Sequence, residues 1–543
     1  MLTRAQTGHL KPKQIMDLEH QLVPTQPLGY TQAAKYTVWR QAMSAEFEAL
    51  QRQGTWTLVP YDPSQNLLGC KWLFKTKYNA DGSIARYKAR LVAQGFKQEH
   101  GLDYHETFSP VAKFATIRVF LTVAINRGWP IIQLDVSNAF LHGTLKEVIH
   151  MKQPAGFVDS QYPNHVCLLK KSIYGLKQSP REWFATLSSY MSTYGFKTSS
   201  ADPSLFLLHK GSTQLYMIIY VDDIILTGNS QTELYKLVAA LQSEFSMRNL
   251  GHLHQFLGLQ VCRTASGLHL NQSQYAKDIL QRAAMSHCKP VATQLPSPLP
   301  TPDMTDALYD KPEFYRKLVG SLQYLTITHP DLLFAVNYLS QHMHQPYNTN
   351  FLILKRVLRY VQGSLTLGLP IYKSNLQLTA FADSDWATDK TDRRSITGYC
   401  AFLGDTLISW IVKKQSSVAR SSTEAEYRAL STAACDIIWL RRILTEFQVE
   451  LPDSTKLYCD NVSALALANN PIFHARTKHI EIDFHFIRDC IRSNYISVHH
   501  ISTMDQPADI FTKALGANRF AFLRDKLTIC SAPVTLRGDD KPS

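Results

Sequence analysis

The sequence predicts an α+β chain of several domains. Two apolar runs, Leu215–Tyr220 and Ile224–Leu226, flank paired carboxylates, the pattern of buried strands joined by a tight turn. Helical spacing with one apolar face recurs from Thr31 to Leu50, from Tyr315 to Gly363 and from Thr423 to Phe447. In the last third, two more strand-like runs end in an acid: Leu378–Ala382 before Asp383, and Lys456–Cys459 before Asp460. At 543 residues the chain should hold three or four domains on a prior of roughly 150 residues each.

Taken in order, residues 1–30 are polar, contain proline and lack a period, so they read as a tail or linker. The first helix places Val38, Trp39, Ala42, Met43, Phe47 and Leu50 on one face, and Gly54 closes it. Residues 70–100 read as strands joined by a turn at Asp81-Gly82. From Arg86 to Ala93 basic and apolar residues alternate, so the basic side chains share a face that either meets phosphate or is simply solvated. Ile131–Val136 reads as a strand with Asp135 at its end. Residues 290–312, with Pro290, Pro296, Pro298, Pro300, Pro302 and Pro312, read as a linker. The helical block 313–374 should break at His329-Pro330 and near Pro346. Strands resume near Leu376, with a hairpin over Thr397–Val412 turning at Gly404-Asp405. The helix after Thr423 puts Glu426 on the same face as Ala429, Leu430, Ala433, Ile437 and Leu440. Asp509 opens or precedes a helix running through Phe511, Ala514 and Leu515, and residues 531–543 read as a disordered tail.

Basic residues, 57, exceed acidic ones, 44, and the net charge of +13 suits a polyanionic partner, though a basic surface without a dedicated ligand has the same composition. Nine cysteines with no C-x-x-C pair favour reduced thiols and an intracellular setting over a zinc finger. His474, His479 and His485 likewise lack a zinc-ligand spacing. No apolar run has membrane-spanning length and no signal peptide is apparent, so no membrane partner is expected.

Asp222 and Asp223 are adjacent anions between buried runs, a conflict that a divalent cation removes. If its strand is a neighbour, Asp135 joins them, and three carboxylates can hold two cations about 4 Å apart for phosphoryl transfer. Mg²⁺ suits such donors. Asp135 on its own could equally be a turn residue or helix cap. Asp383, Glu426, Asp460 and Asp509 form a second candidate set. An acid on the buried face of a helix needs a partner, and metal is one. Asp385 and Glu424 are the competing acids, with Glu424 placed off the inner face.

These residues also spell a family. Tyr220-Val221-Asp222-Asp223 resembles the Y-x-D-D box of reverse transcriptases. The run from Gln133-Leu134-Asp135-Val136 to His142-Gly143 is similar to the first palm motif of copia-type LTR retrotransposons, and Tyr174-Gly175-Leu176-Lys177-Gln178-Ser179-Pro180-Arg181 to their second. Lys71-Trp72, the run from Lys88 to Gly95, and Thr107-Phe108-Ser109-Pro110-Val111 match the fingers. Arg316–Leu322 resembles the thumb helix, and His254-Gln255-Phe256-Leu257-Gly258 the segment closing the palm near the primer terminus. Around Asp383, Glu426, Asp460 and Asp509 the chain resembles the RNase H motifs of the same elements, in the same order.

The resemblance implies a right-hand polymerase followed by an RNase H-like α/β domain. Fingers and palm would occupy 31–289, a thumb or connection 313–374, and RNase H 375–530. It implies metal ligation and catalysis by Asp135, Asp222 and Asp223 in one site and by Asp383, Glu426, Asp460 and Asp509 in the other. Each site would take two Mg²⁺ ions, with Mn²⁺ as the substitute. Lys88, Arg90 and Lys177 would approach the triphosphate, and Phe140 would exclude a ribose 2′-hydroxyl. The implied activity is RNA-directed DNA synthesis with RNase H cleavage. The implied partners are RNA template, primer, RNA–DNA hybrid and dNTPs, in the cytoplasm, a virus-like particle or the nucleus. The alternative is a catalytically inactive, nucleic-acid-binding remnant of such an element.

Overall fold

The computed structural model describes residues 26–78, 83–300, 306–389, 391–470 and 481–532. The readings of the N-terminal tail before 26, the Asp81-Gly82 turn, His474 and His479, and the tail from 533 lie outside them. The chain divides into two units: residues up to 110 with 137–194, and residues 111–136 with everything from 195 onward. Both units draw on the segment 31–289. The strand Ile131–Val136 and the helix before it are hydrophobic enough to be taken into the second unit's core, and periodicity does not report which sheet claims a strand.

In the first unit the predicted helix is Thr37–Arg52, followed by Gly54 at a φ of +61°. It packs beneath a two-stranded hairpin, Cys70–Tyr78 with Ile84–Ala93. Trp39 lies edge-on to Phe74 at 5.2 Å and to Tyr87 at 4.8 Å. The register sets Lys75 opposite Lys88 and Lys77 opposite Arg86, while Trp72, Phe74, Ala89 and Leu91 are buried. Alternation then puts Lys75, Lys77, Arg86, Lys88 and Arg90 on the face away from the helix. A four-stranded sheet completes the unit, in the order Trp56–Pro60, His165–Lys171, Thr144–Met151 and Leu67–Leu68.

The second unit opens with a helix, Phe114–Asn126, whose residues from Thr116 to Ala124 are all buried. It lies with a six-stranded sheet ordered Met247–His252, Ile131–Val136, Asp223–Gly228, Thr213–Tyr220, Leu205–Lys210 and Lys197–Thr198. The predicted strand–turn–strand around Asp222 is a tight hairpin with Tyr220 opposite Asp223. Val221 turns it at a φ of +57°. That is a costly conformation for a β-branched residue, and such strain persists where the surrounding sheet dictates it.

Helices Pro312–Leu325, Leu333–Gln341 and Asn348–Gly363 break where prolines 330 and 346 forecast. The helical spacing read as far as Gly363 ends where the third helix does. Leu367–Tyr372 is a strand between Gly267–Asn271 and Cys530–Ser531. Pro370 and the short apolar run favour extended pairing over a fourth helix. Part of the described Pro-rich stretch is tied to the helical block. Thr293, Gln294 and Leu295 are buried, Arg356 donates to Thr293 Oγ1 at 2.8 Å, and Arg359 donates to the Lys289 carbonyl at 2.8 Å. Arginines of the last helix bond the Thr293 hydroxyl and the carbonyl of Lys289, just before a stretch that proline content alone marks as unconstrained.

A mixed five-stranded sheet follows, ordered Thr406–Lys414, Ile396–Leu403, Leu378–Ser384, Thr455–Cys459 and Ile496–His500. Its first three strands are antiparallel and its last two pairings parallel. The helix Ser422–Glu446 packs on it, matching the predicted span within a residue at each end. This sheet is not an independent module. Phe447 stacks on Tyr216 at 4.6 Å, and the Arg118 guanidinium covers the Trp410 ring at 3.8 Å while donating to the Ile408 carbonyl at 2.7 Å. Among the described residues no helix is long and apolar enough to cross a membrane.

Candidate active sites

The first cluster is built by strand pairing. Asp223 lies directly opposite Asp135, and the Val136 amide donates to the Asp222 carbonyl at 2.9 Å. Three carboxylates therefore meet at one end of the six-stranded sheet, all half-buried. Burial, then Asp222, then Asp135 push the Asp223 carboxyl up to about 6. Each of these causes opposes ionisation of Asp223. Among the described residues, though, the ligand atoms of these three do not draw within 4.8 Å of one another.

The second cluster is tighter. Asp383 is near the end of Leu378–Ser384, Asp460 directly follows Thr455–Cys459, and Glu426 lies in the first turns of Ser422–Glu446. Asp509 sits in a 3₁₀ turn, Pro507–Phe511, followed by a separate helix, Ala517–Lys526. The predicted continuous helix through Ala514 is thus interrupted. The ligand atoms of Asp383, Asp460 and Asp509 lie within 4.8 Å of one another, and so do those of Glu426, Cys459 and Asp460. All four predicted acids converge, with Asp460 shared by both triads.

Their surroundings explain their charge states. Burial, then Asp383 and Asp460, push Glu426 up to about 9, although the Ser384 amide donates to it at 3.3 Å. Burial lifts Asp383 to about 6 against the pull of Lys513. Lys513 Nζ bridges Asp383 at 3.3 Å and Asp509 at 2.5 Å, and Arg519 pairs with Asp509 at 3.0 Å. Burial works against the Lys513 charge, but Asp383 and Asp509 hold it protonated above the ordinary lysine range. Thr512 donates to Asp383, Thr503 to Asp460 at 2.8 Å, and the Cys459 thiol to Glu426 at 3.6 Å. These oxygen donors, close together and held protonated or neutralised by a lysine, fit hard divalent cations.

The competing acids are occupied elsewhere. Asp385 accepts from the Ile396 amide, and Glu424 pairs with Arg428 at 2.6 Å and accepts from the Arg420 amide at 2.8 Å. Glu424 is buried all the same, and Arg428 one helical turn on removes the cost of burying it. Lys513, Arg519, Thr512 and Cys459 escaped the sequence reading. The available signals were a lysine four residues after Asp509 and a cysteine beside Asp460.

The nucleotide-binding candidates lie in the first unit. The Arg90 guanidinium sits over the Tyr174 ring at 4.0 Å, and Phe140 meets the same ring edge-on at 4.7 Å. Burial, then Arg90 and Arg86, lower the Lys88 ammonium. Lys177 joins a different set: its Nζ donates to the Tyr104 hydroxyl at 3.0 Å and the Gln98 carbonyl at 3.3 Å.

Residues 53–297 match the family model described as reverse transcriptase (RNA-dependent DNA polymerase). The retrovirus-related Pol polyprotein from transposon RE1 of Arabidopsis thaliana is 47% identical over 98% of this chain. That from transposon TNT 1-94 of Nicotiana tabacum is 37% identical over 89% of it. The chain spans 37% of the length of each of these relatives. A solved RNase H1 isolated from compost aligns with 25% of this chain and 93% of its own, at 13% identity and a TM-score of 0.21.

Proposed function

The chain belongs to the reverse transcriptase family of copia-type, retrovirus-related transposon Pol polyproteins, and from that premise we propose that it copies retrotransposon RNA into DNA and cleaves the RNA of the resulting hybrid. The observation that carries this reading is the assembly of two separate carboxylate clusters, one by the Asp135–Asp223 register and one by two triads sharing Asp460.

In this reading the first unit acts as fingers, the six-stranded sheet as palm, the helices from Pro312 to Gly363 as thumb or connection, and the mixed sheet as RNase H. Asp135, Asp222 and Asp223 would hold one pair of divalent cations and Asp383, Glu426, Asp460 and Asp509 another, Mg²⁺ by donor chemistry or Mn²⁺ in its place. When bound, such ions supply charge stabilisation for in-line phosphoryl transfer.

The protein's own groups do the rest. The basic hairpin face holds phosphate, and Lys88 and Arg90 on it are the contacts for an incoming triphosphate. Arg90 stays oriented because Tyr174 supports its plane. Tyr174 also braces Phe140, so a rigid ring is available to exclude a 2′-hydroxyl and select dNTPs. Lys177, tied to Tyr104, contributes a weaker contact. In the nuclease cluster, Thr512, Thr503 and the Ser384 amide orient the carboxylates, and Lys513 balances their charge.

The test supplies purified protein with an RNA template, a DNA primer, dNTPs and Mg²⁺, and labelled hybrid in parallel. Asp222→Asn should lose extension and keep hybrid cleavage; Asp460→Asn should do the reverse. A parent protein that binds hybrid tightly yet neither extends nor cleaves would instead be an inactive remnant.

A further inference from the structure

After the short strand Gln255–Phe256 the chain turns through two successive left-handed residues, Leu257 at a φ of +48° and Gly258 at +69°. Leucine rarely adopts that conformation, so something outside the turn must hold it. Two side chains do. Gln133, only 3% exposed, donates from Nε2 to the Gln255 carbonyl at 2.6 Å. It lies two residues before Asp135 on the same strand, and therefore on the same face. From the other side the Tyr324 hydroxyl, on the helix Pro312–Leu325, donates to the Leu257 carbonyl.

The fit between Tyr324 and the turn is close. A Cβ added at Gly258 would come within 2.8 Å of the Tyr324 hydroxyl. Tyr324 is itself braced: Tyr275 meets its ring edge-on at 5.1 Å, and the Tyr275 hydroxyl bonds to the Ser321 carbonyl at 3.2 Å. Tyr220, beside the acidic turn, is near enough to raise the Tyr324 hydroxyl, after burial and ahead of Tyr275. The outer edge of the segment, His252, His254, Gln255 and Gly258, is exposed. The strand carrying Asp135 and the helix carrying Tyr324 thus grip one strained turn whose far side is open.

We propose that Gln133 and Tyr324 are positioning residues that hold the 255–258 turn at a fixed offset from Asp135, so that the turn seats the sugar-phosphate backbone of the growing strand with its 3′ end in register with the carboxylates. The inference rests on the polymerase reading above. The resemblance already associates this segment with the primer terminus; the two tethers are what fix it there. They touch neither nucleotide nor metal, so they govern alignment and not the chemistry itself.

Tyr324→Phe keeps the ring and removes only the donated hydrogen bond. Single-nucleotide extension of an RNA-templated primer should slow about tenfold, because misplacing reacting atoms by a fraction of an ångström is costly. The loss should fall on the maximal rate, with KM for dNTP, primer–template affinity, thermal midpoint and hybrid cleavage unchanged within about twofold. Gln133→Leu reads the second tether. Combined with Tyr324→Phe it should add little, since both act through one turn. If the parent protein extends primers and both single variants extend at the parental rate, the clamp is refuted and the polymerase reading stands. A slowed rate accompanied by an equal fall in hybrid cleavage or a lowered thermal midpoint also refutes it, as general damage. A parent protein that extends nothing removes the polymerase reading itself.

Discussion

Metal binding at the nuclease cluster should expel one proton from Glu426, and its affinity should climb with pH. In the metal-free protein Glu426 is held up to about 9 by burial and by Asp383 and Asp460. A carboxyl with that pKa is protonated at pH 7, whereas a cation binds the carboxylate. The metal-free state therefore keeps a proton that the bound state gives up, so affinity rises with pH until about 9 and then levels off. Two pH units below that pKa, removing the proton costs roughly 3 kcal/mol, on the order of a hundredfold in affinity at pH 7 relative to the plateau. Lys513 contributes no proton in this range, since its carboxylate partners hold it protonated. Asp383, at about 6, adds a second proton only in more acidic solution.

Calorimetric Mg²⁺ titrations in two buffers of different ionisation enthalpy, at pH 7, 8 and 9.5, measure this directly. An Asp222→Asn, Asp223→Asn background silences the other cluster. About one proton per site should be released at pH 7 and only about a quarter of one at pH 9.5. In Glu426→Gln the release should vanish at every pH. Binding at pH 7 without proton release, or release unchanged in Glu426→Gln, would refute the charge states assigned to this cluster.

The remaining predictions follow the same physics. Burial lifts Asp383 from 3.8 to about 6 in the folded chain, so the metal-free protein should lose roughly 3 kcal/mol as pH rises through that window; urea midpoints for the parent and Asp383→Asn should separate there, and identical slopes would contradict it. Lys513→Met should cost about 2 kcal/mol in metal-free buffer, discounted for the partial exposure of the lysine, and should enlarge the Mg²⁺-induced rise in thermal midpoint; an unchanged rise would mean the ammonium and the metal do not compete. Phe140→Val should raise rNTP incorporation relative to dNTP by at least about tenfold in single-nucleotide assays, and unaltered discrimination would return Phe140 to a packing role beside Tyr174.

What could be read from the amino acids was whatever created a local conflict. Asp222 and Asp223 stand out because two anions interrupt apolar strands, and Glu426 because it shares a face with alanines and leucines. The breaks at prolines 330 and 346 and the Gly404-Asp405 hairpin are equally local. Elements that satisfy their conflicts at a distance left no trace. Thr293 looks like linker until Arg356 reaches it from the last helix of the block. Leu367–Tyr372 looks like a connection until Gly267–Asn271 supplies its pairing partner. Glu424 looks like an exposed acid because the arginine that permits its burial lies a helical turn away.

The same asymmetry separates the acids of the nuclease cluster from its cations. An acid in an apolar strand is conspicuous because nothing nearby compensates it, whereas Lys513 and Arg519 lie in polar sequence that would suit any surface helix. Only the fold brings them within 3.3 Å of Asp383 and Asp509. The cost of gathering four largely buried carboxylates is met partly by protonating Glu426 and partly by this lysine and arginine. Both arrangements are reversible: a proton can leave and an ammonium can swing toward solvent. A metal-free chain that neutralised its acids with permanent, fully buried ion pairs would be more stable but harder to load. Lys513 remains partly exposed, with a side-chain accessibility of 38%, against 1% for Asp383 and 5% for Asp509. That difference in exposure would let a cation replace the charge balance of the folded cluster without unfolding it.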